Sequence, residues 1–222
     1  MSAAEPMPNE LSREQFIAHL IKAGWRQDGG RMRPRPNGMP FRTTRRAAMT
    51  AREVPVVELV ERAAVISDCG RYRYRLWRKW AYSELRPILW VMLNPSTADA
   101  AIDDPTIKRC MAFSARWGYG AMWVGNLYAF RSADPSVLWT MGAEDARGPH
   151  NAQHLREMAN VSALTVCAWG TMGSYEYLLR NHYRSPGGLW CIGRTKDGFP
   201  KHPLARGRHR VPDDVTLQRY PG

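Results

Sequence analysis

Ile88-Leu89-Trp90-Val91-Met92-Leu93, continuing into Asn94-Pro95-Ser96-Thr97-Ala98-Asp99 and then Asp103-Asp104-Pro105-Thr106, is the stretch that decides the fold. The apolar run has no polar alternation, which suits a strand buried on both faces of a sheet. It stops at a polar loop carrying an amide and carboxylates. In open α/β sheets, ligands sit beyond the carboxyl ends of such strands. Asn94, Asp99 and Asp103 therefore mark a candidate site. An Asx-rich turn with a helix cap accounts for Asp104 and Pro105 without needing the other three.

Working outward, Asp104 and Pro105 predict a helix start, and the helix ends near Trp117-Gly118. Met122–Leu127, Leu164–Trp169 and Leu189–Ile192 read as further strands. Helical patterns around Asn151–Ala159 and Tyr175–Asn181 separate them. Strands alternating with helices predict an α/β fold, a three-layer sandwich with a mostly parallel central sheet. Arg71-Tyr72-Arg73-Tyr74-Arg75-Leu76 alternates with period two and predicts an antiparallel strand, aromatic face inward and arginine face outward.

Upstream, Leu11–Ala23 reads as an amphipathic helix, and Asp28-Gly29-Gly30 as a hairpin turn. Arginines 26, 31, 33, 35, 42, 45 and 46 face a single acid, Asp28, and prolines 34, 36 and 40 break regular structure. Residues 1–48 are expected to form a small basic helix–hairpin arm, and residues 49–222 the α/β domain.

The chain has 222 residues, 44% of them hydrophobic, enough for one core. No apolar stretch reaches membrane-span length and the first residues carry no signal-peptide pattern, so a cytoplasmic protein without a membrane partner is expected. The four cysteines form no Cys-x-x-Cys pair, so neither metal nor cofactor is expected; Cys167 and Cys191 read as buried thiols. His150 and His154 share metal-ligand spacing but lack the Glu of a zinc-protease helix. No phosphate loop, dinucleotide fingerprint or nucleophile elbow occurs.

Net charge is +12, with arginines interleaved among aromatics. This points to a polyanion, and to nucleic acid before a membrane surface. The expected phosphate contacts are Arg31, Arg33, Arg35, Arg71, Arg73, Arg75, Arg131 and Lys196. At the strand ends, Asn94, Asn126, Tyr128, Phe130 and the loop around His202 would share one cleft if the strands are parallel.

Cys69-Gly70-Arg71-Tyr72-Arg73-Tyr74, Met92–Asp99, Asp104-Pro105-Thr106, Asn126-Leu127-Tyr128-Ala129, Trp169-Gly170 and Thr195-Lys196-Asp197-Gly198 through His202-Pro203-Leu204 resemble a family catalogued as domain of unknown function 1643, of bacteria and phages. The resemblance runs from Arg62 to about Leu204 and supplies no activity.

More remotely, the order Asn94-Pro95-Ser96, Asn126 to Arg131, Gly170 and His202-Pro203 is similar to the uracil-DNA glycosylase superfamily. That resemblance implies a fold of the same kind and a monofunctional DNA glycosylase, a hydrolase. Asn94 would position the attacking water, with Asp99 as a second acidic group. Asn126 would read the flipped base beside Tyr128 and Phe130, and His202 would stabilise the departing base. Ser96, Leu204 and the missing Cys-x-x-Cys depart from the superfamily pattern, so the resemblance implies the reaction without naming uracil.

The expected substrate is a modified pyrimidine flipped out of DNA, duplex or single-stranded, by a monomer, with phage–host conflict as its setting. A non-catalytic nucleic-acid-binding module and a base-modifying enzyme of a phage DNA hypermodification pathway stand as the alternatives.

Overall fold

The structure, a computed structural model, describes residues 59, 61–81, 86–96, 98, 101–172 and 185–220, and the backbone of 25–28 and 31–34. The expected helices over Leu11–Ala23 and Tyr175–Asn181 lie outside the described residues, as do Arg35 and Asp99. Upstream, β1 (Trp25–Asp28) pairs antiparallel with β2 (Arg31–Pro34), as the Asp28-Gly29-Gly30 turn predicts.

The domain is built on β3 (Glu61–Ile66), β4 (Arg73–Lys79), β5 (Ile88–Met92), β6 (Ala121–Asn126), β7 (Thr165–Cys167), β8 (Leu189–Cys191) and β9 (Gln218–Arg219). They form one sheet in the order β3-β4-β6-β5-β7-β8-β9. The chain is α/β, but its sheet is mixed where a mostly parallel one was expected. Only β6-β5-β7-β8 run parallel; β3, β4 and β9 join antiparallel at the flanks. The reason is connectivity: β3 and β4 are hairpin neighbours, whereas parallel neighbours need crossovers.

Strand β5 shows why the apolar run reads as it does. Ile88, Trp90 and Met92 pack into one core with Ile107, Cys110 and Phe113 of α1 (Pro105–Arg116). Leu89, Val91 and Leu93 pack into another with Leu155 and Met158 of α3 (Asn151–Val161), which follows the short helix α2 (Ala143–Arg147). A strand that supplies both cores has no polar face to show.

Two contacts set the helices. Trp90 stacks on Phe113 and Trp117 and donates its indole N–H to Ser114 Oγ at 2.9 Å, so the buried ring keeps its hydrogen bond. Gly125 of β6 lies under α3, where an added Cβ would stand 2.6 Å from Leu155 and 2.7 Å from Met158.

Chain direction reverses at β5. Its crossover through α1 leads to β6 on one side, while the next, through α3 on the opposite face, leads to β7 on the other. Right-handed crossovers that reverse direction must use opposite faces. The crevice of such a sheet opens at this reversal, beyond the carboxyl ends of β5 and β7. Among the described residues no helix is long and apolar enough to cross a membrane.

Candidate active site

The loops leaving the parallel strands meet along one sheet edge. Asn94, just past β5, donates Nδ2 to the Ser132 carbonyl at 2.9 Å and to the Pro95 carbonyl at 3.2 Å. Both partners are carbonyl oxygens, so the nitrogen must face them and Oδ1 is left as an acceptor. Ser132 N–H in turn donates to the Pro95 carbonyl at 3.0 Å, stitching the loops after β5 and β6 together.

His202 lies in the connection after β8. Its Nδ1 accepts the Leu204 backbone N–H at 3.1 Å, which puts the proton of the neutral ring on Nε2. Burial pushes its pKa below the ordinary 6.5, and the nearby Asp104 carboxylate opposes that shift more weakly. Asp104 itself caps α1, accepting the Ile107 N–H at 2.9 Å as its sequence predicts.

Gly170, after β7, has φ +75° and packs so that an added Cβ would lie 3.9 Å from His202 Cβ. Its N–H reaches the Pro200 carbonyl at 3.0 Å. The residue after β7 therefore lies beside His202, and the Asp104 carboxylate at the start of α1 acts on its charge.

Asn126 ends β6 opposite Met92 of β5 and is buried. Arg73 Nη2 lies 3.4 Å from its Oδ1, while Nη1 donates to the Ala98 carbonyl at 2.6 Å. The guanidinium orients the amide, and Asn126 Nδ2 finds no acceptor among the described residues. A buried donor without an acceptor is costly and is a common mark of a ligand position. Asn151, at the start of α3, secures the same strand end by donating Nδ2 to the carbonyls of Asn126 and Leu127.

The remaining expected site residues make other contacts, although Tyr128 N–H bonds the Leu93 carbonyl beside Asn94 at 2.9 Å. Tyr128 and Phe130 are half-buried and pack against the core on the α3 face. Tyr128 meets the half-exposed Trp139 edge-on at 5.9 Å, and Phe130 meets Tyr72 edge-on at 6.1 Å. Arg71 is exposed and lies over the Tyr72 and Phe130 rings. Arg131 Nη1 donates to the Gly70 carbonyl at 3.2 Å, and Lys196 is exposed. Arg31 and Arg33 fall on β2.

The arginines of β4 do not face outward as the alternation predicts. Arg73 and Arg75 are 2% and 3% exposed, so neither offers its charge to an external phosphate. Period two places alternate residues on opposite faces, but both faces of this strand are covered. Arg75 donates Nε to His154 Nδ1 at 2.5 Å and pairs with Glu157 of α3. His154 is thus held by Arg75 and stacked on Tyr74 at 4.7 Å, rather than aimed with His150 at a shared ion.

Asp103 pairs with Arg78 at 2.6 Å, and the two side chains are 8% and 0% exposed. Cys167 and Cys191 are buried partners across β7 and β8, where burial raises both thiol pKa values.

Sequence reasoning missed Arg73 and Asn151 as supports of Asn126. Only burial reveals the first, and an Asn opening a helix reads as an ordinary start. It also missed that the Asp104 carboxylate acts on His202, because the two are far apart in sequence.

A protein-family model described as Protein of unknown function (DUF1643) matches residues 73–204, the segment that carries Asn94, Asn126, Gly170 and His202. No curated protein and no solved structure matches the chain.

Proposed function

The chain belongs to this DUF1643 family of unknown function, and we propose from that premise that it is a DNA glycosylase. It would hydrolyse the N-glycosidic bond of a modified pyrimidine flipped from DNA, in the setting of phage–host conflict. The observation that carries the proposal is His202. It is an imidazole held neutral by burial, fixed by Leu204 N–H, and left with Nε2–H as its donor.

Glycosidic cleavage leaves the bonding electrons on the base, and the developing negative charge falls on its carbonyl oxygens. An oriented neutral donor stabilises that charge without first having to lose a proton. Asn94 Oδ1 would accept a hydrogen bond from water and direct its lone pair at the sugar carbon. Asn126 Nδ2 would donate to a base carbonyl. The water adds OH to that carbon, and its other proton neutralises the departing base. No covalent intermediate with the protein is required.

The reading makes Asn94 both a brace and a water guide, because its amide has two ends and only the nitrogen is engaged. The test is to incubate the full-length protein with phage DNAs of differing base modification, then treat with alkali. Strand breaks at one modified base support the reading. Binding to all of these DNAs with no alkali-labile site in any of them would favour a non-catalytic nucleic-acid-binding protein.

A further inference from the structure

With Arg73, Arg75 and Arg78 of β4 buried, another run of cations among the described residues is exposed. Residues 194–210 carry Arg194, Lys196, Lys201, Arg206, Arg208 and Arg210 against one acid, Asp197. Five of the six cations are exposed, and Lys201 is half-buried. None of them forms an ion pair with a described acid.

Five cations elsewhere in the domain are each paired with an acid. Arg75 is spent on Glu157, Arg78 on Asp103, Lys79 on Glu61, Arg109 on Asp213 and Arg147 on Glu144. Uncompensated like charges along one short segment repel one another, and an external polyanion relieves that repulsion.

The segment is also held in place. Thr195 N–H bonds the Phe199 carbonyl at 2.9 Å, and Lys201 N–H bonds the Gly193 carbonyl at 2.9 Å. Arg210 N–H bonds the Gly207 carbonyl at 3.0 Å. Just beyond it, Arg109 of α1 holds the Val211 carbonyl at 2.7 Å. Anchored backbone fixes where the cations stand, so little ordering remains to be lost on binding. His202 lies in the middle of the strap, between Lys201 and Arg206 in sequence.

We infer that residues 194–210 are the phosphate grip of this protein, a pinned cationic strap that holds a nucleic-acid backbone on either side of the base presented to His202. The inference rests on the nucleic-acid reading above but not on base release. It adds the β8 connection to the expected phosphate contacts in place of the buried Arg73 and Arg75. Arginine suits the role, since its planar fork matches phosphate oxygens. Lys201 and Arg206 flank His202 in sequence, so the same loop would register the backbone and place the donor.

The experiment titrates a short fluorescent oligonucleotide, single-stranded and duplex, with the full-length protein across a series of salt concentrations. Two double variants each remove two positive charges: Arg206→Gln with Arg208→Gln on the strap, and Arg147→Gln with Arg156→Gln on α2 and α3. Each lost phosphate contact lowers the slope of log affinity against log salt by about 0.7 for single strands and about 0.9 for duplex.

The strap variant is expected to lose roughly 1.4 to 1.8 of slope, and the α2–α3 variant less than about half a unit. Equal losses in the two variants, or none in the strap variant, would overturn the inference. So would wild-type binding to vesicles of anionic phospholipid without binding to either oligonucleotide. A strap-dependent slope with no base release would count against the glycosylase and leave the strap standing. Base release with a strap-independent slope would do the reverse.

Discussion

Asn94 Nδ2 sits 2.9 Å from the Ser132 carbonyl, so the residue just past the central strand β5 also ties down the loop leaving its neighbour β6. One amide thereby links the fold to the proposed chemistry. A substitution at Asn94 should affect both, in separable amounts.

Asn94→Ala removes two hydrogen bonds to carbonyls and should cost about 1–2 kcal/mol of stability. Asn94→Asp should cost more, because it turns a carboxylate toward the same oxygens. Urea unfolding of the three proteins would give the ranking wild type, Ala, Asp. An Asp variant as stable as wild type would show that Asn94 Nδ2 is not engaged as described.

Arg73 is a support for Asn126 and not a phosphate contact. Arg73→Lys cannot reach both the Ala98 carbonyl and Asn126 Oδ1 with a planar fork, so stability should fall by roughly 1.5–3 kcal/mol. The salt slope of oligonucleotide binding should stay at the wild-type value. A slope lowered by about 0.9 with unchanged stability would return Arg73 to the surface role that its sequence pattern suggested.

Asp103 should matter to folding more than to chemistry. Asp103→Ala deprives the fully buried Arg78 of its carboxylate, and breaking a buried pair on one side costs about 3–5 kcal/mol. The midpoint of thermal unfolding should drop by several degrees or more. An Asp103→Ala protein of wild-type stability that had lost activity would move Asp103 into the site.

His202 gives a pH signature. Its folded pKa lies below the unfolded value, so the unfolded chain binds its proton more tightly. The resulting stability is fully present above about pH 6.5 and is lost as pH falls through the folded pKa. Unfolding free energies measured at about pH 7.5, 6.5 and 5.5 should fall more steeply for wild type than for His202→Gln. Parallel lines for the two proteins would mean that the ring is not held neutral.

The elements legible in the sequence are those whose pattern is set by burial on a known number of faces. The run at 88–93 could only be a doubly covered strand, and Asp104-Pro105 could only open a helix. That Asn94, Asn126 and His202 lie at or beyond the carboxyl ends of parallel strands followed from the strand pattern. Strand β4 misled because alternation specifies two faces but not which of them meets water. Its arginines are covered by residues far away in sequence: Ala98 and Asn126 at Arg73, His154 and Glu157 at Arg75, and Asp103 at Arg78. Short strands such as β9 carry too few residues to show a period.

The central claim is that His202 stabilises a departing base, and single-turnover base release tests it most directly. Wild type and His202→Ala would be compared on the modified DNA that yields alkali-labile sites, with circular dichroism confirming the fold of both. Loss of one oriented donor to developing charge should slow release roughly a hundred- to a thousand-fold while leaving the affinity for that DNA within about twofold. Release by His202→Ala within about twofold of wild type, well under the 1.4 kcal/mol of a tenfold change, would contradict the account.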